Sequence, residues 1–237
     1  MSGLNYGGLV KKLKEIKEMG FVKTHRIGNT GIGKTLEDLL GIEENNVPSP
    51  DAEMIELKSA RKNAKSMITL FTKAPLPPKA NSVLLERFGY PSAKGTEKKE
   101  LHTTVNAAEY NKLKGKAGFK IEIKPDKLHL VSPKKEVLGY WDKKTLEESF
   151  ERKLPQLVYV EAETNGKGVD EQFWFNEAWL LHGFDFENFI DLLKKKIVFV
   201  DIRIGQFPDG RTHDHGTGFR IFEDKLDLCF ENREKIM

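Results

Sequence analysis

Asp51 follows Pro50 in the segment PDAEMIELK, and after four intervening residues come Glu56, Leu57 and Lys58. In an extended strand successive side chains alternate, so Glu56 and Lys58 share one face while Ile55 and Leu57 point to the other, the expected core side. The carboxylates of Asp51 and Glu56 and the carbonyl of Leu57 are hard oxygen donors. They suit Mg2+, which keeps several waters and also binds phosphate oxygens. Such an ion lowers the pKa of a bound water and neutralises charge on a scissile phosphate, and a second ion could stabilise the leaving oxygen. Lys58, flanked by carboxylates, keeps its charge, which favours orienting the water and stabilising charge over acting as a free base. Glu37, on the helix predicted just upstream, is a fourth candidate. Asp, Glu and Lys are each common, and the same spacing fits a solvated strand face with an ordinary ion pair. The residues alone leave both readings open.

A second pattern competes for attention. GNTGIGKT, residues 28–35, fits the phosphate-loop template G-x-x-x-x-G-K-[ST], with Gly28, Gly33, Lys34 and Thr35 in the required places. A working phosphate loop presents backbone N–H groups at a helix N-terminus and hangs from a buried apolar strand. Ahead of Gly28 the chain reads KTHRI, which puts charge where that strand should be. IVFVD, residues 197–201, resembles a Walker B strand, yet IRIG carries the strand past Asp201. An ATP-binding protein is therefore kept as an alternative.

The elements that must hold these residues are readable from periodicity. Leu9, Leu13 and Ile16 mark an amphipathic first helix. TLEDLLG predicts a second, with Thr35 and Asp38 as a capping box and Gly41 as its stop. MIELKSA and SMITLFT read as two strands joined through RKNAK in a hairpin. FKIEIKPDKLHLVS is a hairpin turning at Pro125 and Asp126. Beyond it KKTLEESFERKL is helical, QLVYVEAE and IVFVDIRI are strands, FENFIDLLKKK is a helix, and a short helix closes the chain. Lys94 to Lys116 is lysine-rich and reads as a solvated loop. Trp141, Trp174 and Trp179 are expected to pack in the core. His25, His102, His129 and His182 receive no role.

Composition narrows the class. At 237 residues, with one cysteine, the chain can bury a substantial core but has no disulfide framework and no four-cysteine zinc site. No run of about 18 apolar residues predicts a membrane span. A formal charge of only +3 with 32% charged residues means that any nucleic-acid affinity must come from local patches. A cytoplasmic location is expected.

The order of segments carries the rest. GNTGIGKTLEDLLG with Glu37, then Asp51 and IELK, ITLFTKAP, ERFGYP, LHTTV, VDIRIG and THDHGTGFRI follow one another in a sequence that resembles the MvaI/BcnI restriction endonucleases. These are relatives of the mismatch-repair nicking enzyme MutH within the PD-(D/E)xK superfamily, and THDHGT.FRI looks closer to the MvaI branch. The likeness covers most of the chain. It implies an α/β nuclease fold, a mixed central sheet with flanking helices in two lobes. The whole chain, 1–237, would form one endonuclease domain, with 1–110 mainly catalytic, 111–237 mainly recognition, and strands near 156–180 returning to the catalytic lobe.

The resemblance implies a prokaryotic, Mg2+-dependent type II enzyme that cuts double-stranded DNA at a CCNGG-type site, CCWGG favoured. It would work as a monomer, nicking the strands in turn, with a cognate DNA methyltransferase as system partner. Asp51, Glu56 and Lys58 fall on the nuclease triad and Glu37 on the helix glutamate, with no departure from the pattern; Lys34 becomes a DNA-backbone contact. Guanine presents two acceptors in the major groove, best met by arginine or a suitably protonated histidine, while cytosine N4 donates to a carboxylate. Arg203, Arg211, His213, Asp214, His215 and Arg220 supply that set. Two rival readings stay open: His213 and His215 as metal ligands, and Arg203 and Arg220 as structural partners of acids such as Asp201 or Glu223. A MutH-like nicking enzyme is the alternative within nucleases.

Overall fold

The computed structural model describes residues 5–42, 55–92, 98–154, 156–207, 209–214 and 216–237; of the expected site residues, Asp51 and His215 lie outside them. In chain order the elements begin α1 (Tyr6–Glu18), β1 (Val22–Lys23), α2 (Gly31–Leu40), β2 (Ile55–Arg61), β3 (Met67–Thr72), α3 (Ala80–Phe88), β4 (Tyr90–Pro91) and β5 (Lys99–Val105). There follow β6 (Lys112–Leu113), β7 (Lys116–Ala117), β8 (Lys120–Ile123), β9 (Lys127–Val131), β10 (Val137–Asp142) and α4 (Lys143–Lys153). The last are β11 (Gln156–Asn165), β12 (Gln172–His182), α5 (Phe186–Lys194), β13 (Val198–Gln206), β14 (Thr212–Asp214), β15 (Gly218–Phe222) and β16 (Asn232–Lys235).

The chain divides into two compact units. Met1–Ile68, Arg152–Phe184 and Glu223–Met237 form one; Thr69–Glu151 and Asp185–Phe222 form the other. Compactness follows spatial packing, so each unit gathers segments distant in sequence.

The first unit holds a mixed sheet in the order β1-β12-β11-β2, with β16 also paired to β12. β11 runs antiparallel to β12 and parallel to β2. Val158, Val160, Ala162, Phe173 and Phe175 on one sheet face pack against Leu9, Leu13 and Ile16 of α1 and Ile32, Leu36 and Leu40 of α2. Burying each such side chain contributes roughly 1.5–3 kcal/mol, which outweighs the weak intrinsic stability of a ten-residue helix such as α2.

The second unit has its own sheet, β3-β15-β13-β5-β4, with β14 paired to β13, and a separate β10-β9-β8 sheet. Its core is aromatic. Phe71 stacks on Phe219 at 4.8 Å between centroids and meets Phe150 and Phe189 at 5.9 and 5.4 Å. Trp141 is buried and donates its indole N–H to the Lys73 carbonyl at 2.8 Å. In the first unit, on β12, Trp179 is buried as expected, whereas Trp174 is half-buried.

Four local expectations are corrected. β2 and β3 form no hairpin: β2 pairs with β11 and β3 with β15. RKNAK fails as a hairpin turn because the Lys62 amide keeps to β11, bonding the Ala162 carbonyl at 2.9 Å. Thr35 caps nothing, since α2 begins four residues earlier; its hydroxyl donates to the Gly31 carbonyl and accepts the His25 amide. Within the lysine-rich segment, 99–105 is a strand whose Leu101 and Val105 are fully buried, an alternation masked by flanking charge. The closing helix is a 3-10 turn, Glu223–Leu228, followed by β16.

Candidate functional site

β2 lies at the edge of its sheet, and its alternation sorts the site as strand geometry requires. Ile55 is buried in the core and Leu57 packs against it. Glu56 and Lys58 face the other way, level with Leu157 and Tyr159 of β11. Glu56 is only 3% exposed. A carboxylate so buried requires compensating positive charge. Lys58 Nζ donates to Glu56 Oε1 and Lys153 Nζ, at the end of α4, donates to Oε2 at 3.0 Å.

Beside this cluster is a cavity of about 320 Å³ lined by Glu37, Leu57, Lys58, Ser59, Lys34 and Arg26 among others. Three expected members, Glu37, Leu57 and Lys58, thus meet at one opening. Ser59 Oγ, buried on the same wall, has no hydrogen-bond partner among the described residues. The donor set fits a hard divalent cation: the buried Glu56 carboxylate already draws two ammonium groups, and the side chains of Glu37, Ser59 and Thr30 bring further oxygens to the opening beside it. Among the described residues no three His, Cys, Asp or Glu side chains gather as a metal site. Lys153 was missed in the sequence because it lies 97 residues from Glu56 and no local spacing connects them.

The glycine-rich loop serves this opening as backbone. β1 ahead of it has only two residues, neither buried, so the strand a nucleotide-binding loop needs is missing. Gly28 adopts φ +96°, and a Cβ on Gly31 would stand 2.1 Å from the Arg26 carbonyl, so the turn demands glycine there. Arg61, clamped to Glu171 at 2.7 Å, also donates to the Gly28 carbonyl at 3.1 Å and ties the loop to β2. Lys34 lies in the cavity wall, 2.7 Å from Asp38. Lys34 and then His25 hold the Asp38 carboxyl below the usual carboxylate range.

The second unit carries a different cluster. Asp201, 5% exposed and in the middle of β13, accepts from Arg203 Nε and Arg220 at 2.7 Å each and from the Thr104 hydroxyl at 3.0 Å. The expected alternative, that these arginines partner an acid, is therefore realised in Asp201. Pairing with Asp201 also fixes their orientation. Asp201, Arg203 and Arg220 line a second cavity of about 320 Å³ with His102, Thr69 and Thr72. His102 stands directly across from Arg203 on β5, a register invisible in sequence.

Of the remaining expected recognition residues, Arg211, His213 and Asp214 sit on or beside β14. His213 stacks on Phe207 at 4.3 Å, and Arg211 reaches over the same ring while bonding Asp209. Asp214 accepts from Asn81 at 2.5 Å and from the Gly216 amide at 2.8 Å, bracing its turn.

One titrating pair lies on the sheet face that carries Glu56. Burial first, and then the hydrogen bond with the Glu223 carboxyl, push Glu161 up to about 7 from 4.5. Between those values the folded chain keeps a proton that the unfolded chain releases, so stability falls as pH rises through this window and the loss is complete above it. Glu161→Gln is expected to melt higher than the parent at pH 8, with the difference closing by pH 5. Equal melting temperatures at pH 8 would contradict the shared proton.

A sequence model of the MvaI/BcnI restriction endonuclease family matches residues 10–230. The structure titled restriction endonuclease MvaI-cognate DNA substrate complex is similar at a TM-score of 0.84, with 32% identity over 97% of each chain. The structure of restriction endonuclease MvaI in the absence of DNA matches at a TM-score of 0.57, with 31% identity over all of both chains. No curated protein sequence matches. No helix among the described residues is long and apolar enough to cross a membrane.

Proposed function

Because the chain belongs to the MvaI/BcnI restriction endonuclease family, we propose that it hydrolyses both strands of double-stranded DNA at a short CCNGG-type site, CCWGG favoured, with Mg2+. The observation that carries this reading is the buried Glu56 carboxylate gripped by Lys58, beside an opening that Glu37 and Leu57 share. In this reading the first unit is catalytic and the second reads sequence. The enzyme acts as a monomer, nicking one strand and then the other, in a prokaryotic cytoplasm alongside a cognate methyltransferase.

The chain's residues divide the work. Asp51, Glu56 and the Leu57 carbonyl, with Glu37 nearby, would hold Mg2+. When bound, the ion supplies an acidified water and neutralises charge on the phosphate. Lys58, held by Glu56, presents an ammonium that orients the attacking water and offsets the negative charge growing on the phosphoryl oxygens. Lys34 contacts the DNA backbone at the same opening. In the second unit Arg203 and Arg220, aimed by Asp201, present donors for guanine O6 and N7, and Arg211, His213, Asp214 and His215 complete the base-reading set.

Digesting a DNA of known sequence with Mg2+ and sequencing every cut end tests the whole reading. Ends confined to CC(A/T)GG on both strands are expected. Persistent nicking of one strand would favour a MutH-like repair activity. Tight ATP binding lost in Lys34→Ala, without cleavage, would return the phosphate-loop alternative.

A further inference from the structure

Glu56 has more positive charge around it than a lone nuclease lysine supplies. Both of its oxygens are taken, Oε1 by Lys58 and Oε2 by Lys153 at 3.0 Å, and the carboxylate is 3% exposed. The two lysine side chains are each about a quarter exposed. A divalent cation bound by Glu56 would need an oxygen that now accepts from an ammonium group. Lys58 is two residues away on the same strand face and is the lysine that the proposed mechanism needs beside Glu56. Lys153 comes from the C-terminal end of α4 and has no role in that mechanism, so it is the ammonium that the cation can displace.

We infer that Lys153 is a positioning residue that occupies Glu56 Oε2 as a resident counter-ion and competes with the divalent cation for it, weakening metal binding and keeping the carboxylate compensated when no metal is present. This rests on the reading of Glu56 as a metal-holding residue. Two cations contending for one buried carboxylate repel, and removing the one supplied by the chain must strengthen the other. A lysine that merely braced the site would act in the opposite sense: its loss would loosen Glu56 and weaken the ion.

The test is titration of the full chain with Mn2+ alone, without DNA, by calorimetry at fixed pH. Lys153→Gln and Lys153→Met, which retains the aliphatic stem, are expected to bind Mn2+ at least about tenfold more tightly than the parent, since a unit charge contending for the same carboxylate is removed. Lys153→Arg, which keeps the charge, is expected to stay within about threefold. Melting temperatures give a second readout: both neutral variants should melt lower than the parent without metal and gain more on adding Mn2+. Unchanged or weaker Mn2+ binding in whichever neutral variant folds overturns the inference. Glu56→Gln separates the two levels. If it leaves Mn2+ binding intact, the reading of Glu56 fails and the inference with it; if it removes binding while the Lys153 variants do not tighten it, the inference alone fails.

Discussion

Glu56→Gln should cut DNA at least about 10³-fold more slowly than the parent, a rise of about 4 kcal/mol in the barrier, while binding the duplex as well or better. The substitution is nearly isosteric and removes only the charge. That charge has two roles. In the proposed mechanism it would be an anionic oxygen donor for the cation, and it holds Lys58 in place. A neutral amide does either poorly, so cation and lysine are both compromised at once. Duplex affinity should not suffer, because a negative charge facing an incoming polyanion has been deleted. The fold should hold as well: both lysines left behind are about a quarter exposed and can be hydrated. Because the proposed mechanism has Glu56 and Lys58 act as one unit, the double variant Glu56→Gln with Lys58→Met should be little slower than Glu56→Gln alone. Single-turnover cleavage and gel-shift binding on one site-bearing duplex check both halves. Cleavage within about tenfold of the parent would remove Glu56 from the mechanism.

How much of this arrangement was legible beforehand depends on whether the determining interaction is local. The face-sharing of Glu56 and Lys58 is a property of any strand, and the burial of Ile55 behind them follows from the same alternation. The α1 stripe of Leu9, Leu13 and Ile16 is equally local, and all three are buried. The strand partner of β2 is not local: the parallel pairing of Ile55–Arg61 with Gln156–Ala162 requires a crossover of nearly a hundred residues, so a hairpin to the next apolar run looked closer at hand. Separations of 97 and 133 residues hid Lys153 from Glu56 and Asn81 from Asp214. Alternation in LHTTV was present all along, but the lysines on either side drew the segment toward a solvated reading. Asp201 is one of two acids that the sequence offers as structural partners of Arg203 and Arg220, and the fold decides between them. Its spacing from Arg203 puts the two on one strand face, yet the third partner, Arg220, arrives only through the antiparallel pairing of β13 with β15.

That three-way contact sets the second large expectation. Arg203→Ala should relax base preference at one position of the site by roughly 1–3 kcal/mol, or about 5- to 150-fold in relative cleavage of the substituted duplex, while the chain stays folded. Folding survives because Asp201 keeps Arg220 at 2.7 Å and Thr104 at 3.0 Å after Arg203 is gone. Asp201→Ala should behave differently. Arg220, whose side chain is only 15% exposed, would lose its acid, and breaking a largely buried pair from one side costs about 3–5 kcal/mol. Arg203→Lys should not restore the preference, because an ammonium cannot supply the planar pair of donors that spans guanine O6 and N7. The Asp201 bond uses Nε of Arg203, and the guanidinium is half-exposed in the cavity that His102 shares. Cleavage rates on a panel of duplexes carrying each single base change within the site distinguish these outcomes. Arg203→Ala with an unaltered preference at every position would make Arg203 a structural partner of Asp201 and move base reading to Arg220 and the β14 residues.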